Sequence, residues 1–469
     1  MLHKRNSISV FDAFFCGLMV LAWLSAIWTI PVSAYAEENP PGKMPADQPG
    51  GDTPQGIGEV DAALGFGGIA EDYFVRLRLG AAFQFDKFGF GIQAPMNLRV
   101  KDNAPTGEGV LRNEDWDEFS DYLKILRYVQ YGFPSEPVYV RLGELAGVSL
   151  GHQTVVDRYY NVVDINHYKM GIRATVDMDY GGVEVLLDHI APPNLFGLRG
   201  FVRPLTFFET DEIFKRFTVG LTFAADFVAP TELETDANNR LETENRHLIR
   251  DNSAVAAIYG LDMDWEVVRT ELFSVIPYFD VLFLNGAGVG THLGTMLNFR
   301  FPDNFRINSR LEWRFASAHY QPNYFNSIYE IERWSFLSGP KLDDVLNGAN
   351  RQSRHGAIGQ LEFHLGNYLT VSGTYEDYQG ANNSNLTLRL DLPTIYVVRL
   401  SAYYAKRNFD SFSDLGNLDN TMLVTLAKVD VIGPVYVSAE YARQWHLDDD
   451  GHYDTVNNWA IGAGVSFRF

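Results

Sequence analysis

The 469-residue chain reads as all-β: one transmembrane antiparallel up-and-down β-barrel of about 20 strands, within a range of about 16–20. Three observations predict it. Apolar and polar residues alternate with period two in segments of roughly 10 residues, the length a tilted strand needs to cross a bilayer. Beyond the N-terminus no apolar run approaches the roughly 18 residues that a crossing helix requires. Short and long connections alternate along the chain, as they must when hairpins turn at two unlike ends of a barrel.

Composition agrees. Hydrophobic residues make up 46% and mean hydropathy is −0.13, no more apolar than a soluble protein. A membrane barrel hides its apolar residues by alternation, so mild hydropathy is expected of it. The 33 Phe and 24 Tyr suit aromatic girdles, and the 41 Gly suit tight turns. A net charge of −21 argues against nucleic-acid binding, because no basic patch offsets it. Acidic loops fit a cell-surface protein bridged to anionic lipid by divalent cations.

The N-terminus begins with a short basic region, Met1 to Arg5, followed by an apolar stretch from Phe14 to Ile30. Ala34-Tyr35-Ala36 then offers a small-x-small cleavage site. Residues 1–36 are expected to be a secretory signal peptide cleaved near Ala36; an uncleaved anchor is the competing reading. Cys16, the one cysteine, lies inside it, so the mature chain would hold no disulfide and no thiolate metal site. Residues 37–57, rich in Pro, Gly, Asp and Gln, read as a flexible periplasmic linker. The barrel is expected over 58–469.

Taken in order, the first ten strands are expected near 58–68, 73–85, 88–100, 121–132, 137–145, 167–178, 181–191, 194–204, 216–229 and 254–268. The second half gives 270–285, 287–301, 304–320, 357–366, 368–379, 384–393, 395–409, 419–432, 434–446 and 456–469. Alternation is plain in Phe305, Ile307, Leu311, Trp313 and Phe315 against Arg306, Asn308, Arg310, Glu312 and Arg314. It recurs in Val75, Leu77 and Leu79 against Arg76 and Arg78, and in Leu386, Leu388 and Leu390 against Thr387, Arg389 and Asp391. Short turns such as Asp86-Lys87, Gly366-Asn367 and Gly433-Pro434 fall at one end by parity. Long segments such as 101–120, 146–166, 230–253 and 321–356 fall at the other. The stretch 205–215 is long for its end. The strand at 121–132 is ambiguous, since Tyr122, Leu123, Ile125, Leu126, Tyr128 and Val129 also carry helical spacing.

In the last segment Trp459, Ile461, Ala463, Val465, Phe467 and Phe469 share one face. Ending on an aromatic with apolar residues at every second position, it resembles the terminal strand of Gram-negative outer-membrane β-barrels of the porin-like class. That resemblance implies an integral outer-membrane location and contact with outer-membrane lipid and lipopolysaccharide. It also makes Phe467 and Phe469 part of the signal read by the outer-membrane assembly machinery.

The expected function is a porin-like channel for passive diffusion of ions or small polar solutes. Pore-lining candidates are Arg76, Arg78, Arg141, Arg306, Arg310, Glu312, Arg314, Glu362, Arg389 and Asp391, with Glu440 sharing that interior. Rings of charge set ion preference; opposite charges on neighbouring strands also brace a barrel, and the two roles are compatible. The Gly-containing, polar segment Glu144 to His167 is a candidate constriction through Glu144, His152, Asp157 and Arg158, with Asp164 and His167 nearby; an ordinary outer loop is the alternative. Asp448-Asp449-Asp450-Gly451 resembles half a calcium loop but lacks the closing Glu, so no metal site and no cofactor is expected. Read as lacking a G-x-S-x-G, an H-E-x-x-H, a phosphate-binding glycine loop and a cysteine pair, the chain is expected to be a non-enzyme. Two readings compete with the channel. One is a plugged surface barrel acting through extracellular loops, prompted by Tyr324, Phe325, Tyr329, Trp334 and Phe336 in one loop, aromatics that either mark a contact surface or fold inward and close the pore. The other is an outer-membrane hydrolase.

Overall fold

The computed structural model describes residues 58–469 except 70–71, 104–108, 113–114, 117–118, 163–168, 238–240, 245–246, 349–350, 448–452 and the single residues 135, 303, 338, 367, 396 and 419. The expected signal peptide, the linker, Asp164, His167 and the Asp448–Gly451 loop lie outside the described residues.

The strands are β1 (Gly58–Ile69), β2 (Asp72–Phe85), β3 (Phe88–Lys101), β4 (Leu126–Tyr131), β5 (Val138–Gly143), β6 (Gly171–Met178), β7 (Gly181–Leu187), β8 (Leu195–Val202), β9 (Phe217–Leu233) and β10 (Arg250–Trp265). They continue as β11 (Phe273–Leu284), β12 (Gly288–Arg300), β13 (Phe305–Ala316), β14 (Arg354–Leu365), β15 (Leu369–Tyr378), β16 (Ser384–Ile395), β17 (Val398–Phe409), β18 (Thr421–Ile432), β19 (Val435–Leu447) and β20 (Tyr453–Arg468). Each pairs antiparallel with the next, and β20 pairs back with β1, so the ladder closes with 20 strands. Closure leaves no unpaired sheet edge, which a bilayer would not tolerate.

All twenty expected strands occur, with altered bounds. The expected strand at 121–132 is the main correction. It begins as a short helix, Phe119–Tyr122, and a 3₁₀ turn, Leu123–Ile125, and only Leu126–Tyr131 pairs as a strand. Its helical spacing thus describes the first half and its strand alternation the second. The β9–β10 hairpin also runs further than expected, to Leu233 and from Arg250, through three register shifts that let it bend away from the barrel rim.

Period two decides which side each residue faces. On β13, Arg310, Glu312 and Arg314 are buried inward while Leu311, Trp313 and Phe315 are exposed outward. Outward aromatics gather in two belts. Near the end that holds Gly58 and Phe469, Phe83 stacks on Phe90 at 5.1 Å, and Phe305 packs with Phe301 and Phe363 at 4.9 and 4.8 Å. Towards the opposite end, Phe66 stacks on Tyr73 at 6.0 Å, and Trp313 lies 6.5 Å from Phe315. From Phe305 to Phe315, a rise of about 3.3 Å per residue tilted by about 40° gives a belt separation of about 25 Å, the height of an outer-membrane apolar band.

The closing seam depends on residues without side chains. Gly58 and Phe469 exchange backbone hydrogen bonds of 2.9 and 3.0 Å. A Cβ on Gly65 would sit 2.9 Å from the Ile461 carbonyl oxygen, and one on Gly462 equally close to that of Leu64. Gly200, by contrast, would meet nothing within 4 Å.

Gly65→Val is therefore expected to lower the temperature at which the refolded barrel loses its heat-modifiable gel mobility. The overpacking cost is about 1–3 kcal/mol. Gly200→Val should leave that temperature unchanged. Equal behaviour of the two variants contradicts the seam geometry.

Candidate functional site: a lumen narrowed by two infolded loops

A barrel of this strand number encloses more space than strand side chains can fill. Two loops from the end opposite the termini enter that space, through the described residues of 144–170 after β5 and of 317–353 after β13. They pair with each other inside the barrel. Val156 and Phe325 form a parallel bridge, with Asp157 N–H donating to the Phe325 carbonyl at 3.1 Å and Phe325 N–H to Val155 at 3.1 Å.

The loops carry an apolar core with them. Leu145, Val156, Tyr159, Tyr324, Phe325, Tyr329 and Leu342 pack against the inner faces of Leu186, Ala224, Ala256, Ile258 and Leu282. Each is at most 1% exposed. Fully burying such side chains stabilises docking by about 1.5–3 kcal/mol each. Of the two directions open to this loop's aromatics, the inward one holds for Tyr324, Phe325 and Tyr329, which face the core, and for Phe336, which packs against it, while Trp334 is half-buried outside that cluster.

Charged groups fix where the loops sit. Arg310 donates to the His152 carbonyl at 2.6 Å and to Asp157 at 3.3 Å. Asn323 donates to Asp157 and to Glu376, both at 3.0 Å, and accepts from Arg314 at 3.1 Å. Arg158 donates to Asp157 at 3.2 Å and to Thr374. A second knot joins the loops elsewhere: Lys169 donates to Asp188 at 2.9 Å and to Glu330 at 2.6 Å, and Arg333 pairs with Asp226 at 3.0 Å. Burial pushes the Glu330 carboxyl up, but the cations of Lys169 and Arg333 outweigh it and hold the group below its ordinary range.

His152 reaches the wall directly. Its Nδ1 lies 2.7 Å from Asp280 and its Nε2 3.2 Å from Asp264, with the ring stacked 4.5 Å from Tyr278. Burial disfavours protonation, yet the two carboxylates prevail and raise His152 to about 9.

The structure places the other candidate residues as follows. Glu312 and Arg314 are fully buried and paired with each other, and Glu312 also lies 2.8 Å from His292. Arg141 donates to Gln130 at 2.9 Å and to the Glu144 carbonyl at 3.0 Å. The Glu144 carboxylate accepts from Gln93 at 2.5 Å and from Arg127 at 3.4 Å. Glu362 lies 2.6 Å from His364, and Arg389 pairs with Asp391 and donates to Tyr160 at 2.6 Å. Arg306 is inward near the termini end. Phe467 and Phe469 are exposed on the outside.

Arg76 and Arg78 behave differently. Both pair with Glu440, at 3.3 and 2.6 Å, yet keep side-chain exposures of 21% and 38%, and Glu440 keeps 23%. β1 and β20 stand between them, three strand spacings of about 4.8 Å in all. The pairing reaches across because Ala63, Gly65, Ala460 and Gly462 leave the inner wall bare there. Solvent thus reaches the inner wall along β1–β3, β19 and β20, while the wall from β7 to β13 is sealed by the loops.

Contrary to the expectation that the chain lacks a G-x-S-x-G, Gly147-Val148-Ser149-Leu150-Gly151 has that spacing. Ser149 Oγ accepts the Arg158 N–H at 3.0 Å, and His152 faces Asp280 and Asp264. Neither the strand–turn–helix setting of a nucleophile elbow nor a Ser–His pair is found there among the described residues. Among the described residues no group of three His, Cys, Asp or Glu is arranged to hold a metal ion.

Two outcomes test the docked loops. Phe325→Ala should weaken docking by about 3–5 kcal/mol, read as faster amide exchange through 150–160, with barrel strands unaffected. Because His152 is raised from its ordinary value to about 9, its contribution is fully present below about pH 6.5 and is lost as pH rises through about 9. Amide exchange near Thr154 should therefore accelerate above pH 9 beyond its intrinsic rate, and His152→Ala should abolish that extra acceleration.

No family model matches the chain, and no curated protein matches it. Solved structures do resemble it in architecture. One is Wzi, described as an outer membrane protein involved in group 1 capsule assembly in Escherichia coli and as a carbohydrate binding β-barrel. It is 9% identical, with 88% of this chain and 85% of that chain covered and a TM-score of 0.34. Another is the ferric enterobactin receptor PfeA of Pseudomonas aeruginosa, 8% identical, covering 89% and 82%, with a TM-score of 0.36. A third is OccAB2 of Acinetobacter baumannii, 9% identical, covering 88% and 98%, with a TM-score of 0.30. These likenesses concern overall architecture only. The chain's own closed ladder and paired aromatic belts make it a β-barrel of the outer-membrane type.

Proposed function

We propose that this protein is a constricted, porin-like channel of the Gram-negative outer membrane, passing ions or small polar solutes along one side of its lumen. The observation that supports this is the solvent-exposed inner wall at Arg76, Arg78 and Glu440, opposite a wall sealed by the two loops. In that exposed stretch two guanidiniums outnumber one carboxylate, and the nearby Asp61 and Lys428 offset each other, so the excess positive charge favours anions over cations. The loops then serve as a fixed constriction, while most other inward charges serve as bracing. In this reading the chain reaches the membrane after cleavage near Ala36 and uses Phe467 and Phe469 in assembly.

The same loops support a second reading, a plugged barrel without conductance, since their apolar core fills much of the interior. The experiment that separates the two is single-channel recording in a planar bilayer with protein refolded from Glu37. The channel reading expects small, anion-preferring steps. Replacing Arg76 and Arg78 by Ser should shift preference towards cations, and replacing 324–348 by a short Gly–Ser linker should raise conductance severalfold. Silence from both wild type and the loop-replaced protein, each with heat-modifiable mobility, overturns the channel.

A further inference from the structure

At the loop end lies a polar pocket of about 70 Å³ that opens to outside solvent. Its three carboxylates are all matched by cations: Asp157 by Arg158 and Arg310, Glu332 by Lys341 and Arg407, and Glu376 by Arg314. Two guanidiniums in the same pocket have no such match. Arg351 and Arg354 make no ion pair with any described residue. Both instead donate to neutral acceptors and share one of them, Gln321 Oε1, at 3.3 and 2.6 Å; Arg351 Nε also donates to the Asp344 carbonyl at 3.0 Å and Arg354 to Asn383 Oδ1 at 3.4 Å. Those donor nitrogens therefore lie within about 6 Å of each other. Arg351 Nη2 is buried and makes no hydrogen bond.

This arrangement is costly as it stands. Two like charges converge on one neutral oxygen, and a buried donor is left without a partner. Burial and the neighbouring Arg354 guanidinium pull Arg351 down to about 10. Both guanidiniums are held in place from below, Arg351 by the Phe336 ring at 5.8 Å and Arg354 by the Tyr378 ring at 4.9 Å. Rigid, stacked guanidiniums present planar forks that match a carboxylate. A carboxylate can displace the Gln321 amide oxygen and place one oxygen on each guanidinium at about 2.8 Å.

We propose that Arg351 and Arg354 form a receiving site for the carboxylate of a small polar organic acid at the outer mouth of the lumen. The site deepens the channel reading by naming the solute class that would enter, and it rests on that reading for passage but not for binding. The adjoining amides of Asn382, Asn383 and Asn385 line the same pocket and suit hydroxyl groups on such a solute.

The test is isothermal titration of the refolded barrel with succinate, inorganic phosphate and glucose. Succinate is expected to bind, glucose not to, and phosphate more weakly than succinate. R351Q and R354Q should each weaken succinate at least tenfold. R250Q, which removes an exposed guanidinium outside the pocket, should leave it unchanged. Should the Gln variants fail to fold, succinate is expected to protect the wild-type arginines from phenylglyoxal. Undiminished succinate binding in R351Q/R354Q, no protection, or phosphate binding tighter than succinate overturns the carboxylate site. Binding without conductance would leave this site standing and remove the channel; conductance without binding would do the reverse.

Discussion

Asp157, Arg310, Asn323 and Arg314 form the node on which the interior depends. One carboxylate from the first infolded loop accepts from a guanidinium on β13 and from an amide of the second loop. That same amide reaches Glu376 on β15 and accepts from Arg314 on β13. Arg310 and Arg314 are at most 3% exposed. Removing one partner from such a cluster leaves an uncompensated buried charge, worth roughly 3–5 kcal/mol. The apolar core supplies much of the driving force for docking, but it is non-directional. The charged node is what selects one position for both loops against the wall.

That choice makes the lumen lopsided. The loops lean on the wall from β7 to β13, where small or aliphatic inner residues such as Ala224, Ala256 and Ile258 receive their apolar core and Asp280 and Arg310 receive their polar groups. The seam side carries Ala63, Gly65, Ala460 and Gly462 at the inner face, so it stays hollow, and Arg76 and Arg78 cross it to Glu440. The small residues at the β1–β20 seam also leave that stretch of the inner wall bare.

Much of the barrel was legible in the sequence because Cβ alternation is a property of each strand alone. β13 shows this directly: Arg310, Glu312 and Arg314 against Leu311, Trp313 and Phe315 need no knowledge of neighbours. The segment before β4 was less legible, since Tyr122 to Ile125 fit both periods and local chain geometry decided. The loops were the hardest. Tyr324, Phe325 and Tyr329 are as apolar on an outer contact surface as in an interior, and only the fold says which way the loop turns. The Arg76–Glu440 pair joins residues 364 positions apart through closure of the barrel, so no local pattern announces it. Arg351 precedes β14 and Arg354 is its first residue, ahead of the plainly alternating stretch, and their lack of carboxylate partners emerges only once every other charge is placed.

Cysteine accessibility tests the lopsided lumen most directly, in a background with the one cysteine, Cys16, replaced by Ser. Cysteines at Ala63 and Ser438, on the hollow side, should react quickly with a charged, membrane-impermeant thiol reagent in the folded barrel. Cysteines at Ala224 and Ala256, beneath the loops, should react at least a hundredfold more slowly. Similar rates at all four positions would contradict the docked loops and the one-sided passage together.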